Sequence, residues 1–426
     1  MELFDQLRGI LGIAVLLLIA WGLSDNRARR PGWRWIVGAL ALQGALALLI
    51  VRVPFIWSPM QYANAGVAAI ERAAADGSSY MFGYLGGAPL PFELNEGAEA
   101  PVIIAFQILP LVIVFSALAA LLWHWGVLRW IVNGLSFLLR RTLGVSGVVG
   151  LSGGANMFLG VVESPLVVRA YFARMSRAEL FQIMVLAMST VSGAVLVLYA
   201  TTLSDTVPDA VGHMISASLV SLPAALLIAK LMVPDDEANE TATDVEKGEQ
   251  GLKFESSIDA IIKGTMDGMQ LFLAVIAVII VVFALVSITD QALGLLPLVG
   301  DEPLTLKRIF GWIFAPLMWL IGVPWAEAQA AGGLMGTKAI LNEYVAYLEL
   351  AALPTETFGP RGLLIVTYAL CGFANLASIG LLVSTIGTLC PERRAEAAGL
   401  GIKSWIAGNI ATAMTGAWIG LVTWGS

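Results

Sequence analysis

Charge, histidine and cysteine are all scarce in this chain. Its 426 residues hold 24 Lys and Arg and 31 Asp and Glu, a charged fraction of 13%, about half the roughly 25% of a soluble domain. That shortage excludes a disordered chain and an ordinary soluble enzyme. The two His, His124 and His213, and the two Cys, Cys371 and Cys390, form neither an HExxH nor a CxxC pattern, so zinc hydrolysis, dithiol redox chemistry and a disulfide framework lack their parts. No Walker, GxGxxG or GxSxG pattern is present either, which removes the usual ATP-driven pump and serine hydrolase. A net charge of −7 leaves no basic face for nucleic acid. What abounds is apolar side chain, 58% of the chain, with 44 Gly besides; such a composition belongs in a bilayer.

Eight segments approach or exceed the about 20 apolar residues that a span needs: 7–23, 35–53, 103–127, 180–203, 214–232, 270–288, 363–389 and 397–423. The first follows the acidic start MELFDQ and has no small-residue cleavage site before DNRARRPGWR, so it reads as a retained span. Positive loops stay cytoplasmic, and Arg27, Arg29, Arg30 and Arg34 after the first span place the N-terminus outside. With eight spans, all but seven of the 24 Lys and Arg then fall on the cytoplasmic side. Both termini are expected in the periplasm of a bacterial inner membrane.

Two apolar stretches fit neither a span nor a loop. One, between Arg141 and Arg169, carries six glycines and ends in Glu163-Ser164-Pro165; the other, 304–347, is interrupted at Gly322-Val323-Pro324. Glycine and proline break helices, and the charge pattern puts both flanks of each stretch on one side. Each is therefore expected to be a re-entrant hairpin, tolerated at membrane depth only where protein or a wet cavity covers it. Hairpin, span, span occurs at about 143–232 and again, from the opposite side, at about 305–423. Inverted repeats with interrupted helices in matching positions are the sequence signature of a secondary transporter. The fold expected is an all-α polytopic membrane protein of eight transmembrane helices plus two hairpins. Its divisions are scaffold 1–142, first repeat 143–232, cytoplasmic linker 233–256, scaffold span 257–304 and second repeat 305–426. An amphipathic stretch at 59–75 is expected along the outer interface.

Polar groups inside apolar segments need a reason. Glu163, Glu327 and Glu343 either face a hydrated site or lie near an interface, paired with Lys338 or an arginine; Glu327 has the further option of capping a half-helix. Asn156 and the Ser189-Thr190 pair beside Gly193 offer oxygens for a hard cation, or hydroxyls bonded back to their own helix. Asn375 and Ser378, three apart on one helical face, mark either a binding site or close helix packing.

Several motifs together resemble the concentrative nucleoside transporters: GTKAILNEYVAY at 336–347, YALCGFANLASIG at 368–380, ANMFLGxxESP at the first tip, MWLIGVPWAEA at the second, and STVSG. The resemblance runs along nearly the whole chain in order. It implies an elevator-type homotrimer that carries a nucleoside together with a cation, sodium first and a proton as the alternative. It also implies residue roles. Glu343, Asn375 and Ser378 hold the ribose with Phe373 beside them; Glu163 couples substrate to cation; Val195 lines the base. Asn156 and Thr190, with the main-chain oxygens of Leu159 and Val191, form the sodium shell. At the tip, where family members that grip uracil read GQTESP, this chain has Val161 and Val162. Valine neither donates nor accepts, so base recognition is altered, and the cargo is either a nucleoside read by shape or another ribose-bearing or hydroxylated solute.

Overall fold

The computed structural model describes residues 2–93, 102–160, 163–235, 253–300 and 302–423. The described part is helical throughout, its β content confined to a single bridge, Val299 with Glu302. In chain order the helices are α1 Glu2–Gly22, α2 Trp33–Arg52, α3 Pro54–Phe82, α4 Ile104–Gln107, α5 Pro110–His124, α6 Val127–Leu143, α7 Gly147–Asn156, α8 Glu163–Val167, α9 Arg177–Ser189, α10 Gly193–Thr202, α11 Ala210–Met232, α12 Ser257–Leu293, α13 Leu306–Leu320, α14 Trp325–Ile340, α15 Glu343–Ala351, α16 Pro360–Leu370, α17 Leu376–Leu389 and α18 Arg394–Val422.

Six stretches of helix among the described residues are long and apolar enough to cross a bilayer. α1, with its shorter apolar part Arg8–Gly22, and the interrupted pair α16 and α17 stand where the other two expected spans were placed. The 59–75 stretch lies within the 29-residue α3. The expected linker lies largely outside the described residues.

Burial separates the helices into two sets. The span made by α9 and α10 is 100% buried in its most apolar window, whereas that of α12 is 6% buried. α11 and α18 join α9 in the centre, while α2, α5 and α12 stand outside. Small residues explain how α5 and α12 pair: a Cβ on Gly264 would sit 2.7 Å from the Ser116 carbonyl oxygen, and one on Gly268 2.7 Å from Ile113 Cα. The opposite face of α12 exposes Met266, Leu273, Ile280 and Phe283, a surface suited to lipid or to another protein.

The interruptions fall where glycine, proline and capping side chains end helices. α7 starts on a Ser146 cap and α9 on a Ser176–Glu179 capping box. α13 and α14 form a pair bent by 120° across 321–324, where Gly322 takes φ +119°, a conformation that costs other residues dearly. A second interruption, at Leu341 and Asn342, was not marked by the sequence reading. Leu341 departs from helical geometry at φ −93°, ψ −88°, and Asn342 caps α15 by accepting from Val345 N at 2.8 Å. α8 and α15, the short helices that follow the interruptions after α7 and after α14, both begin on a glutamate, Glu163 and Glu343.

Candidate functional site

The two repeats meet at their broken spans. In the first, α9 ends at Ser189 and α10 begins at Gly193; in the second, α16 ends at Leu370 and α17 begins at Leu376. The breaks touch through main chain, Phe373 N donating to the Thr190 carbonyl at 3.4 Å. Gly372 permits this approach, because a Cβ there would lie 3.0 Å from the Met188 carbonyl oxygen and 2.7 Å from Thr412 Cγ2.

On the second-repeat side stands Glu343, 4% exposed. Its Oε1 accepts from the Tyr199 hydroxyl at 2.5 Å and its Oε2 from Asn375 Nδ2 at 2.8 Å. Asn375 is the N-cap of α17, its Oδ1 accepting from Ser378 N at 2.8 Å, so one side chain both starts the helix and aims its amide at the carboxylate. Glu343, Asn375 and Ser378 are thus brought together and buried, with Phe373 half-buried beside them. Two tyrosines of α15 complete the wall: Tyr199 stacks on Tyr344 with centroids 5.7 Å apart and leans on Tyr347 at 5.1 Å. Val195, one turn before Tyr199 on α10, is buried as well.

On the first-repeat side, Asn156 and Thr190 are also brought together. Asn156 Nδ2 donates to the Leu186 carbonyl at 2.9 Å and to Thr190 Oγ1 at 2.5 Å, while Asn156 Oδ1 accepts from the Ser164 hydroxyl at 2.9 Å. The Thr190 hydroxyl also bonds back to its own helix, to the Leu186 carbonyl at 3.0 Å, and Ser189 does the same to Val185 at 2.7 Å, so the second reading of these hydroxyls holds in part. Val191 N donates to Ser218 Oγ at 3.5 Å. Leu159, at the tip, is buried. Neutral buried oxygens gathered at a helix break suit a hard monovalent ion, and among the described residues no group of three His, Cys, Asp or Glu exists to hold a transition metal. A cavity of about 60 Å³ joins this tip to the outer helices, lined by Leu159, Gly160, Ser192, Ser116, Trp123 and Asp267; it has room for several waters at about 10–15 Å³ each.

The other candidates fall elsewhere. Val161 and Val162 lie outside the described residues, and of Glu163 only the main chain is described, at the start of α8. Glu327 takes its capping role: its Oε1 accepts from Gly359 N at 3.2 Å, at the head of α16. His124 packs edge-on against Phe254, and His213 contacts the Tyr368 hydroxyl at 2.9 Å.

Sequence reasoning missed Tyr199 and Ser164, and it offered Lys338 as a partner for the carboxylates, whereas Lys338 Nζ donates to Asn409 Oδ1 and Thr412 Oγ1. Tyr199 lies one helical turn beyond Val195, and a phenol in so apolar a segment needs a partner; that was the available signal.

A membrane-embedded pair of interrupted spans, with a buried carboxylate at one break and neutral oxygens at the other, defines a secondary transporter. The comparisons say which kind. Residues 11–85 and 213–420 match the N-terminal and C-terminal models of the Na+ dependent nucleoside transporters, and residues 105–206 match a nucleoside recognition (gate) model. An uncharacterized transporter of Haemophilus influenzae is 37% identical, over 97% of this chain and 97% of its own. The nucleoside permease NupC of Helicobacter pylori is 32% identical, over 98% of each chain. Among solved structures, CNTnw in an inward-facing substrate-bound state superposes with a TM-score of 0.85 at 36% identity, over 98% of this chain and 99% of that one. The chain belongs to the concentrative, Na+ dependent nucleoside transporter family, whose members are transporters and not enzymes.

Proposed function

We propose that this protein is a sodium-coupled symporter that imports nucleosides across a bacterial inner membrane. The observation that carries the reading is Glu343, a buried carboxylate at a helix break, gripped by one donor from each repeat, Tyr199 and Asn375. A buried carboxylate is costly unless hydrogen-bonded, and one so oriented is ready to accept from the hydroxyls of a ribose. Asn375 and Ser378 serve as its partners on the sugar, Phe373 packs beside it, and Val195 lines the base.

The sodium ion travels as cargo with the Asn156–Thr190 cluster, which with Ser164 and the main-chain oxygens of Leu159 and Val191 supplies neutral hard ligands. The Phe373–Thr190 main-chain contact gives coupling a physical route, since ordering one break orders the other. Glu163, at the head of α8, links tip to substrate.

Transport follows an elevator motion, in which the two repeats move as a unit past a scaffold built from residues 1–142 and 257–304. The exposed face of α12 then meets a partner copy in a homotrimer. A second reading keeps the cation and changes the cargo to another ribose-bearing or hydroxylated solute; Val161 and Val162 motivate it, and the relatives favour nucleosides.

The test is binding of a panel of nucleosides, sugars and nucleobases to purified protein in sodium or choline. Nucleosides bound only in sodium support the proposal. Failure of every nucleoside to bind removes the cargo assignment, and equal binding in choline removes the sodium.

A further inference from the structure

The half-helix α16 is held at both ends by opposite charges from one neighbour. At its head, Glu327 of α14 accepts from Gly359 N at 3.2 Å. At its tail, Lys338 of the same helix donates to the Ala369 carbonyl at 3.5 Å. The spacing from Glu327 to Lys338 along α14 equals, within a residue, that from Gly359 to Ala369 along α16, so at about 1.5 Å per residue the two helices are matched end to end. The signs are those the helix dipole demands, anion at the N-terminus and cation at the C-terminus.

Lys338 is wholly buried, at 0% exposure, and its Nζ is completed by Asn409 Oδ1 and Thr412 Oγ1, each at 2.9 Å. Its three acceptors are uncharged, and among the described residues no carboxylate reaches it within 4.0 Å. An ammonium is expensive to bury, and one surrounded by a main-chain carbonyl, an amide oxygen and a hydroxyl sits in the kind of oxygen shell that a free monovalent cation takes.

The first repeat has the same arrangement with a different chemistry. There the end of the first hairpin helix, α7, meets the last turn of the half-helix that precedes the break, Asn156 Nδ2 donating to the Leu186 carbonyl at 2.9 Å. Where the second repeat presents an ammonium at a helix tail beside its break, the first presents a neutral amide among neutral oxygens. We infer that Lys338 is a tethered cation standing in the second repeat where the transported ion stands in the first. It permanently orders the α16–α17 break, which positions Asn375 against Glu343 without an ion of its own. Lys338 is therefore a positioning residue, acting through the break and not on the substrate. The inference rests on the cation reading of the Asn156–Thr190 cluster given above.

The test uses full-length purified Lys338→Gln, Lys338→Arg and parent protein, measuring nucleoside affinity over a sodium series and the sodium-induced rise in Tm. The inference predicts that Lys338→Gln loses at least about tenfold in nucleoside affinity, and that part of the loss returns as sodium is raised beyond the range that saturates the parent. Lys338→Arg, which keeps the charge, should lose less. Affinity within twofold of the parent, or a loss that no sodium concentration relieves, overturns it. Should Lys338→Gln fail to fold, Thr412→Val, which removes one acceptor, must show the same sodium-relieved loss on a smaller scale, or the inference fails. If sodium shifts neither Tm nor affinity in the parent, the cation reading beneath it is what has failed.

Discussion

The Tyr199 hydroxyl donates to Glu343 Oε1 at 2.5 Å, and this contact ties the first repeat to the second at the point where both spans are interrupted. A phenol and a carboxylate 144 residues apart in sequence meet because α10 packs against α15, which sets Tyr199, in the second turn of α10, against Glu343, the first residue of α15. The carboxylate is thereby oriented before any substrate arrives, with Asn375 fixing its other oxygen.

Removing that donor tests the orientation. Hydrogen bonds to charged groups contribute about 1.5–3 kcal/mol, so Tyr199→Phe should weaken nucleoside binding roughly 10–100-fold while the protein still assembles and melts cooperatively. Calorimetric titration reads the change. An affinity within twofold of the parent means that Tyr199 only packs there.

Glu343→Gln keeps the shape and loses the charge. One of its two acceptor positions becomes a donor facing Tyr199 or Asn375, so uptake should fall to background, whereas the sodium-dependent rise in Tm should survive because the cation cluster lies at the other break. Loss of both would show that Glu343 belongs to the ion shell.

Thr190→Val removes an oxygen from the cation cluster without changing side-chain shape greatly. A ligand at 100 times its dissociation constant stabilises by about 2.7 kcal/mol, and this variant should lose most of the Tm increase that sodium gives the parent. Lithium and choline serve as controls. An undiminished sodium shift places the ion elsewhere.

Gly362 faces Glu327 so closely that an added Cβ would lie 1.9 Å from Oε2. Gly362→Ala should therefore destabilise by about 1–3 kcal/mol, the usual cost of overpacking, and Glu327→Ala in the same chain should recover part of it. A double-mutant cycle by thermal melting measures the coupling; strict additivity contradicts the close approach of Glu327 to the first turn of α16.

Much of this arrangement was legible in the sequence because membranes punish exceptions. Six glycines before Glu163 and the Gly322-Val323-Pro324 triplet interrupt apolar runs that otherwise read as spans, and the structure bends the chain by 120° at the second of these. Asn375 and Ser378 were visible as a pair three residues apart, but the break before them was not: Asn375 is the extended N-cap of α17 and not part of a helical face. The break at Leu341-Asn342 was not visible either, since neither residue is a strong helix breaker and the interruption is made by an Asn342 cap. Tyr199 and the true partners of Lys338 escaped for a related reason: Glu343 is remote in sequence from Tyr199, as Asn409 and Thr412 are from Lys338, and only the packing of the repeats brings them near. Periodicity reports where a residue sits on its own helix; it carries no information on which helix lies opposite.

The central claim, that nucleoside binding at Glu343 is coupled to sodium at the Asn156–Thr190 cluster, is tested most directly by uptake of a radiolabelled ribonucleoside into proteoliposomes at fixed pH. An inward sodium gradient should drive accumulation above the external concentration, and replacing sodium with choline should abolish it. Accumulation that continues unchanged in choline, or that follows an imposed proton gradient instead, contradicts the claim.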